Sequence, residues 1–216
     1  MLIISILGAC VGSFIAALFN RYKHHQSLSG RSQCDHCHHR LKWIDLIPII
    51  SFVLLAGKCR YCRQTISSFS TFIEINLLIL YPLIYSIAHS ISLLIIISVL
   101  LYLSMQDMES MKVSNNPLLA LLCFTIVHSN LLSIEIILPI YLSFSILNQR
   151  LSMVGQADID ILCILYLMFS TAILYIIIIA CVYALIYFFI NRFRVHYIPF
   201  VPYIYLAVLT FLCIQK

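Results

Sequence analysis

The feature that most limits how this chain can fold is a series of long apolar runs. A helix that rises about 1.5 Å per residue needs about 20 apolar residues to cross a bilayer core about 30 Å thick. Eight runs approach this length: Leu2–Phe19, Ser68–Ala88, Ser90–Gln106, Pro117–His128, Leu131–Leu147, Ile159–Phe169, Thr171–Ile190 and Ile198–Ile214. Because backbone groups in lipid must be paired within their own segment, the sequence predicts an all-α polytopic membrane protein with about eight transmembrane helices.

Two of these runs, Pro117–His128 and Ile159–Phe169, are short for a complete span. An alternative joins residues 159–190 into one long tilted helix and gives seven spans. The composition, 62% hydrophobic and 10% charged, excludes an ordinary soluble domain, in which charged residues make up about 25%. It also excludes an intrinsically disordered chain, which lacks the apolar residues for a core.

The positions of the basic residues predict an orientation, because cytoplasmic loops carry the excess of Lys and Arg. If the chain has eight spans and its N-terminus is outside the cell, only Lys216 of the thirteen Lys and Arg residues lies on the outer side of the membrane. The other twelve are Arg21, Lys23, Arg31, Arg40, Lys42, Lys58, Arg60, Arg63, Lys112, Arg150, Arg192 and Arg194. Seven spans would place Arg192 and Arg194 outside. The first run has its charges after it, unlike a secretory signal. We therefore expect a multi-pass plasma-membrane protein, with its positive charge beside anionic lipid and no nucleic-acid partner.

The long polar segment 20–67 contains two Cys-x-x-Cys motifs, Cys34–Cys37 and Cys59–Cys62. Each motif can direct two thiolates to one ion, and together they predict a four-cysteine zinc site. A dithiol redox pair is the alternative, disfavoured because disulfides do not persist in the cytosol. The apolar run Ile44–Ala56 between the motifs is too short to span and is predicted to lie on the membrane surface, with Trp43 at the headgroups.

Acidic residues at membrane depth are costly and are therefore functional candidates. Asp107 ends the third predicted span and Asp158 opens the sixth, at the same depth and on the same side. Two carboxylates that share a proton can hydrolyse an amide through a water molecule. Asp158 could instead be an N-cap and Asp107 an ordinary helix end. On position alone, Glu109 and Asp160 compete for the same roles.

These residues also resemble a known family, the type IV prepilin peptidases, and in particular the competence type of Gram-positive bacteria. The matching residues, in the family's order, are Gly12-Ser13-Phe14, Asn20, Arg21, Cys34, Cys37, Trp43, Asp45-Leu46-Ile47-Pro48, Ser51, Gly57-Lys58-Cys59-Arg60-Tyr61-Cys62, Glu74, Asp107, Gly155-Gln156-Ala157-Asp158 and Pro199-Phe200-Val201-Pro202. The family has a glycine where Ala157 stands and another where Val201 stands, and the proline expected after Asp107 is missing.

The resemblance implies an aspartic endopeptidase with Asp107 and Asp158 as its catalytic pair and with Gly155, Ala157 and Glu74 as supporting residues. It implies cleavage of a short basic leader from prepilin or pseudopilin precursors at the cytoplasmic face, for competence or secretion. It also implies N-methylation with S-adenosylmethionine, although no nucleotide-binding fingerprint is visible.

The expected domains are a first transmembrane helix at 1–19, a cytoplasmic zinc loop at 20–67 and a membrane-embedded peptidase domain at 68–216. Two other classes of protein compete with this prediction. A non-catalytic assembly factor would use the zinc loop for docking. A proton-coupled transporter would place its acidic residues nearer the bilayer midplane.

Overall fold

The computed structural model describes residues 1–27, 30–129, 131–151, 155–191 and 198–215, and within these ranges the regular structure is helical. Two isolated β-bridges lie in the cysteine loop, and the described ranges contain no strand. The helices are α1 Leu2–Lys23, α2 Ile50–Leu54, α3 Phe69–Ala88, α4 Ile91–Ser110, α5 Asn115–His128, α6 Leu131–Leu151, α7 Gln156–Phe169, α8 Ile173–Ile190 and α9 Val201–Ile214. The prediction of an all-α protein is confirmed.

Each of the eight predicted apolar runs forms a helix, and α2 is an additional short helix inside the loop. Among the described residues, four helical stretches are long and apolar enough to cross a membrane: Leu2–Lys23, Phe69–Ala88, Ile91–Ser110 and Gln156–Ile190. The last combines α7 and α8 through a 3₁₀ turn at Ser170–Ala172. The number of spans and the orientation stay predictions. Arg192, Arg194 and Lys216, which were used to predict the orientation, lie outside the described residues.

The chain divides into two compact units, Met1–Ser98 and Val99–Lys216. The first contains α1, the whole described part of the cysteine loop and α3. The second contains Asp107, Asp158 and helices α5 to α9. The domain boundaries expected after residues 19 and 67 both fall inside the first unit and stay predictions.

Helix α1 packs closely against α3 in the first unit because two glycines remove side chains from the interface. A Cβ added to Gly12 would lie 2.9 Å from the Cα of Glu74, and one added to Gly8 would overlap the carbonyl oxygen of Leu77. This spacing is the small-xxx-small pattern that lets membrane helices approach at backbone distance. Close packing of α1 on α3 fixes the two ends of the cysteine loop next to each other.

In the second unit, α7 packs against both α5 and α6, and α9 packs against α8. The α7 side chains of Ile161 and Leu165 are fully buried. Large apolar side chains on the outer faces of α6 and α8, such as Phe144 and Leu174, are more than half exposed. That distribution fits helices whose outer faces meet lipid, while α7 is packed against two other helices.

Candidate metal centre and active site

The first Cys-x-x-Cys motif folds as a tight knuckle. The backbone N–H of His38 donates to the carbonyl oxygen of Cys34 at 2.9 Å, and the N–H of Cys34 donates to the carbonyl oxygen of His39 at 3.0 Å. His38 has φ +54°, a left-handed conformation that turns the chain back. Cys34 and Cys37 are thereby directed to one side of the turn.

The second motif repeats this backbone pattern 25 residues further along the chain. The N–H of Arg63 donates to the carbonyl oxygen of Cys59 at 3.0 Å, and the N–H of Cys59 donates to that of Gln64 at 2.8 Å. Arg63 has φ +60°. The two knuckles are therefore a structural repeat, although the residues between their cysteines differ.

The two knuckles bring the four thiols of Cys34, Cys37, Cys59 and Cys62 within 4.8 Å of one another. The Sγ atoms of Cys34 and Cys62 are 3.9 Å apart. A tetrahedral zinc ion with Zn–S distances of about 2.3 Å requires sulfur atoms about 3.8 Å apart. The predicted four-cysteine cluster is confirmed, and its spacing fits one four-coordinate metal ion.

The electrostatics of the cluster favour a preformed thiolate. The backbone N–H of Cys62 is the main cause that lowers the pKa of the Cys59 thiol to about 7. The N–H of Gln64 acts to lower the pKa of Cys62, but desolvation and the neighbouring thiols outweigh it and raise that pKa to about 11. Cys59 would therefore ionise more readily than an ordinary thiol, whereas a divalent cation would have to displace a proton from Cys62.

Asp45 connects the 3₁₀ turn Trp43–Leu46 to the second knuckle. Its carboxylate accepts hydrogen bonds from Arg60 Nε at 2.7 Å and from the Tyr61 hydroxyl at 3.3 Å. Burial opposes ionisation, but the Arg60 hydrogen bond and charge lower the pKa of Asp45 below its usual value. The Tyr61 ring also stacks on His39, with centroids 3.7 Å apart, so one aromatic pair joins the two knuckles.

Glu74, predicted as a supporting active-site residue, lies in the first unit and anchors the loop. Its buried carboxylate accepts the N–H of Ile49 at 2.7 Å and the Ser70 hydroxyl at 3.4 Å. Ile49, with φ +62° and ψ −50°, is the centre of a γ-turn between Pro48 and Ile50, a rare and strained conformation. Glu74 therefore holds a strained turn at the start of α2.

The segment around that turn exposes apolar side chains, as expected for a membrane-surface segment. Trp43 is 75% exposed, and Val53 and Leu54 on α2 are 66% and 74% exposed. The helices that flank the loop in the sequence, α1 and α3, are each long enough to span a membrane, and the position of this segment at the membrane surface stays a prediction.

Asp107 lies in the last turn of α4 and is 8% exposed. Its Oδ2 accepts the backbone N–H of Val201 at 3.1 Å, and the amide of Phe200 interacts with the same carboxylate. These two amides form the N-terminus of α9, where the helix dipole favours a negative charge. This contact gives the Pro199–Pro202 motif a physical role. The side chain of Val201 is fully buried, while its amide still reaches Asp107.

Asp158 lies in the first turn of α7, and Asp107 is close enough to act on it electrostatically. Gly155 precedes the helix and lies under the Asp158 carboxylate. A Cβ at Gly155 would be 2.9 Å from Asp158 Oδ2. Ala157 adopts ordinary helical backbone and has no positive φ, so the glycine that the family has there is not required by this backbone. As catalytic residues, Asp107 and Asp158 stay a prediction.

Asp160 and Glu109, which on position alone compete with Asp158 and Asp107 for the catalytic roles, have different surroundings. Asp160 accepts hydrogen bonds from the Tyr141 hydroxyl at 3.0 Å and from Gln156 Nε2 at 3.1 Å. Glu109 is exposed. The sequence predicted Asp107 and Asp158 as candidates but did not indicate the amide donors at Phe200 and Val201, because backbone N–H groups leave no residue signature. The resemblance of residues 199–202 to a family motif was the available signal.

The fold and the two sites define a class: an all-helical membrane protein with a four-cysteine loop able to bind a metal and with two neighbouring carboxylates at helix ends. Within that class, the resemblance to the type IV prepilin peptidase family is confirmed. Residues 6–88 match the Bacterial Peptidase A24 N-terminal domain, and the curated relatives are prepilin leader peptidase/N-methyltransferases.

The relative from Vibrio cholerae is 30% identical over 128 residues, which cover 53% of this chain and 51% of that protein. The Bacillus subtilis relative is 32% identical over 128 residues, or 56% of this chain and 51% of that protein. The Myxococcus xanthus relative is 41% identical over 63 residues, which cover 29% of this chain and 19% of that protein. The matches thus span about half or less of these relatives. No solved structure matches the chain.

Proposed function

We propose that this chain is an aspartic endopeptidase that removes a short basic leader from type IV prepilin or pseudopilin precursors at the cytoplasmic face of the membrane. The observation that carries the proposal is the position of Asp107 and Asp158 in one compact unit, within electrostatic range of each other and at the ends of two helices. The names of the curated relatives support the substrate class.

The surroundings of the two carboxylates support different roles. Asp107 accepts the Val201 N–H at the start of α9, and donors at a helix N-terminus stabilise a carboxylate anion. Asp107 is therefore assigned as the general base and Asp158 as the group that carries the proton. A carboxylate and a carboxylic acid at close range are the arrangement that water-mediated amide hydrolysis needs.

In the proposed reaction, Asp107 accepts a proton from a water molecule whose oxygen bonds to the scissile carbonyl carbon. Asp158 donates its proton to the carbonyl oxygen and so stabilises the tetrahedral intermediate. The intermediate then returns the hydroxyl proton to Asp158, and the C–N bond breaks as the proton held by Asp107 passes to the departing amine. The products are a leader with a new carboxyl group and a mature chain with a new amino group.

The substrate class follows from where the sites would lie in a membrane. A prepilin has a charged leader, which stays in water, followed by an apolar helix, which enters lipid. Asp107 and Asp158 are at the ends of α4 and α7 rather than at their middles. The bond between leader and helix is therefore expected to reach the two carboxylates.

The four-cysteine cluster is assigned a structural role with zinc as its ion. Four thiolates and no open position are typical of structural zinc, whereas a catalytic zinc keeps one position for water or substrate. Cys34, Cys37, Cys59 and Cys62 would hold the ion, and the bound ion would fix the two knuckles relative to each other. Zinc takes no part in the proposed hydrolysis.

No residue is assigned to S-adenosylmethionine. A cleft of about 1040 Å³ in the first unit is large enough for a nucleotide-sized molecule. Three carboxylates line this cleft, and two of them already have partners, Asp45 with Arg60 and Glu74 with Ile49. The third, Asp35, is exposed between Cys34 and Cys37 in the first knuckle. No glycine-rich nucleotide-binding motif accompanies it, and methylation stays outside the proposed mechanism.

Co-expression with candidate prepilins tests the proposal. The wild-type chain is expected to give a mobility shift equal to loss of the leader, and Asp107→Asn and Asp158→Asn are each expected to abolish it while still accumulating in the membrane. Glu109→Gln is the matched control, since Glu109 is a nearby exposed acid, and it should cleave normally. Normal processing by Asp107→Asn would refute the assignment.

A further inference from the structure

A ladder of polar side chains joins α6 to the first turns of α7. Asp160 Oδ1 accepts the Tyr141 hydroxyl at 3.0 Å and Gln156 Nε2 at 3.1 Å, and the same Nε2 donates to Ser145 Oγ at 3.3 Å. Tyr141 and Ser145 are four residues apart on α6, and Gln156 and Asp160 are four residues apart on α7. Residues at this spacing share one helix face, so two polar faces meet.

Two members of this ladder, Gln156 and Asp160, lie two residues before and two residues after Asp158 in the sequence, but Asp158 itself is not a member. Asp158 and Asp160 are two residues apart, which on an α-helix places their side chains about 200° apart. Asp160 therefore faces α6, while Asp158 lies on the other side of α7, within electrostatic range of Asp107. Fixing Asp160 to α6 consequently fixes the direction in which Asp158 points.

The N-terminal turn of α7 needs such a restraint, because the first amides of a helix lack intrahelical partners and the turn frays easily. Gln156 is the first residue of α7 and Gly155 is its N-cap, with no side-chain cap hydrogen bond. The side-chain nitrogen Nε2 of Gln156 donates two hydrogen bonds, one to Asp160 on α7 and one to Ser145 on α6. These contacts restrain the turn that carries Asp158.

We propose that Asp160, together with Tyr141 and Gln156, is a positioning residue that orients the Asp158 carboxyl group toward Asp107. This inference rests on the proposed peptidase function. Asp160 does not react: it acts as a hydrogen-bond acceptor whose partners lie on α6 and on the first turn of α7. Its function should therefore require an acceptor oxygen and not a negative charge.

Steady-state cleavage of a prepilin by the purified chain, measured on the monodisperse fraction, tests the proposal. Tyr141→Phe removes one hydroxyl, and Asp160→Leu removes the acceptor. Each should lower kcat about tenfold with KM within about twofold, because displacing a reacting group by about 1 Å costs up to about 100-fold. Asp160→Asn retains an acceptor oxygen and should restore kcat to within about twofold of wild type.

Two further variants sharpen the result. The double variant Tyr141→Phe/Asp160→Leu should be no slower than the slower single variant, because both changes remove the same contact. Tyr175→Phe, which removes an exposed hydroxyl on α8, should be unchanged. A purely structural role would lower the yield of folded protein and leave kcat of the folded fraction unchanged.

The outcomes separate this inference from the proposed function. Wild-type kcat in Tyr141→Phe would overturn the positioning role alone, provided that Asp158→Asn is inactive. Loss of all cleavage in Asp160→Asn would also overturn it, since Asp160 would then be a reacting group. A wild-type chain that cleaves no prepilin, or an Asp107→Asn variant that cleaves normally, would overturn the peptidase assignment and this inference with it.

Discussion

Gly155 gives a sharp test of whether the position of the Asp158 carboxylate matters. In Gly155→Ala the added Cβ would lie 2.9 Å from Asp158 Oδ2, whereas ordinary contacts begin at 3.4 Å. The carboxylate must therefore move by roughly 0.5 Å. Since a displacement of about 1 Å costs about 100-fold in rate, we expect kcat for leader cleavage to fall roughly tenfold.

The same variant should fold normally. Gly155 has φ −60° and ψ +131°, a conformation that alanine adopts without strain. Alanine is a poorer N-cap than glycine, but it also lowers the entropy of the unfolded chain, and these opposing effects are each of order 1 kcal/mol or less. The clash is with the end of a flexible side chain and is relieved by rotating it.

The assay is single-turnover cleavage of a prepilin by purified wild-type and Gly155→Ala protein, with thermal unfolding measured on the same samples. Ala157→Gly is the control at a neighbouring position. Because Ala157 is helical, that variant should cleave at about the wild-type rate and lose at most about 1 kcal/mol of stability. Wild-type cleavage by Gly155→Ala would refute the reasoning that Asp158 must keep its present position.

Three further predictions concern the first unit. Cys59→Ser should reduce bound zinc, measured by elemental analysis of the purified protein, from about one ion per chain to well below one, because three thiolates hold zinc less tightly; unchanged zinc content would contradict the four-cysteine assignment. Gly12→Leu should prevent α1 from packing on α3, seen as lost membrane accumulation, with Gly12→Ala milder; normal accumulation of both would contradict the packing. Ile49→Gly should raise the unfolding temperature of the zinc-loaded protein by relieving a strained φ, a gain of about 1 kcal/mol; a lower temperature would show that the isoleucine side chain matters more.

The elements that could be predicted from the sequence are those set by local chemistry. Apolar runs such as Ser68–Ala88 became helices within a few residues of the predicted ends, because length and hydropathy leave a helix as the simplest way to pair backbone groups in lipid. The four-cysteine cluster was predicted because Cys-x-x-Cys spacing alone brings two thiols to one side of a turn. The helices and each two-thiol knuckle are short-range effects, whereas the meeting of the two knuckles, 25 residues apart, was predicted from the four ligands that a structural zinc ion requires.

The parts that could not be predicted depend on long-range backbone contacts. The amide of Val201 meets Asp107 across 94 positions of the chain, and the Ile49 amide meets Glu74 across 25 positions. A backbone donor has no sequence signature, so the sequence did not predict that Glu74 holds the strained turn at Ile49. A supporting role for Glu74 in the active site stays a prediction. The hydrogen bonds of Asp160 and Gln156 to α6 were missed for a related reason, since the sequence does not specify which side of α6 faces α7.

The most direct test of the central claim is mass spectrometry of a prepilin incubated with purified wild-type, Asp107→Asn or Asp158→Asn protein. The account predicts that wild type releases the leader at one bond, next to the apolar helix, and that neither variant releases it although both remain folded and zinc-loaded. Release of the same leader by either variant would contradict the assignment of Asp107 and Asp158 as the catalytic pair.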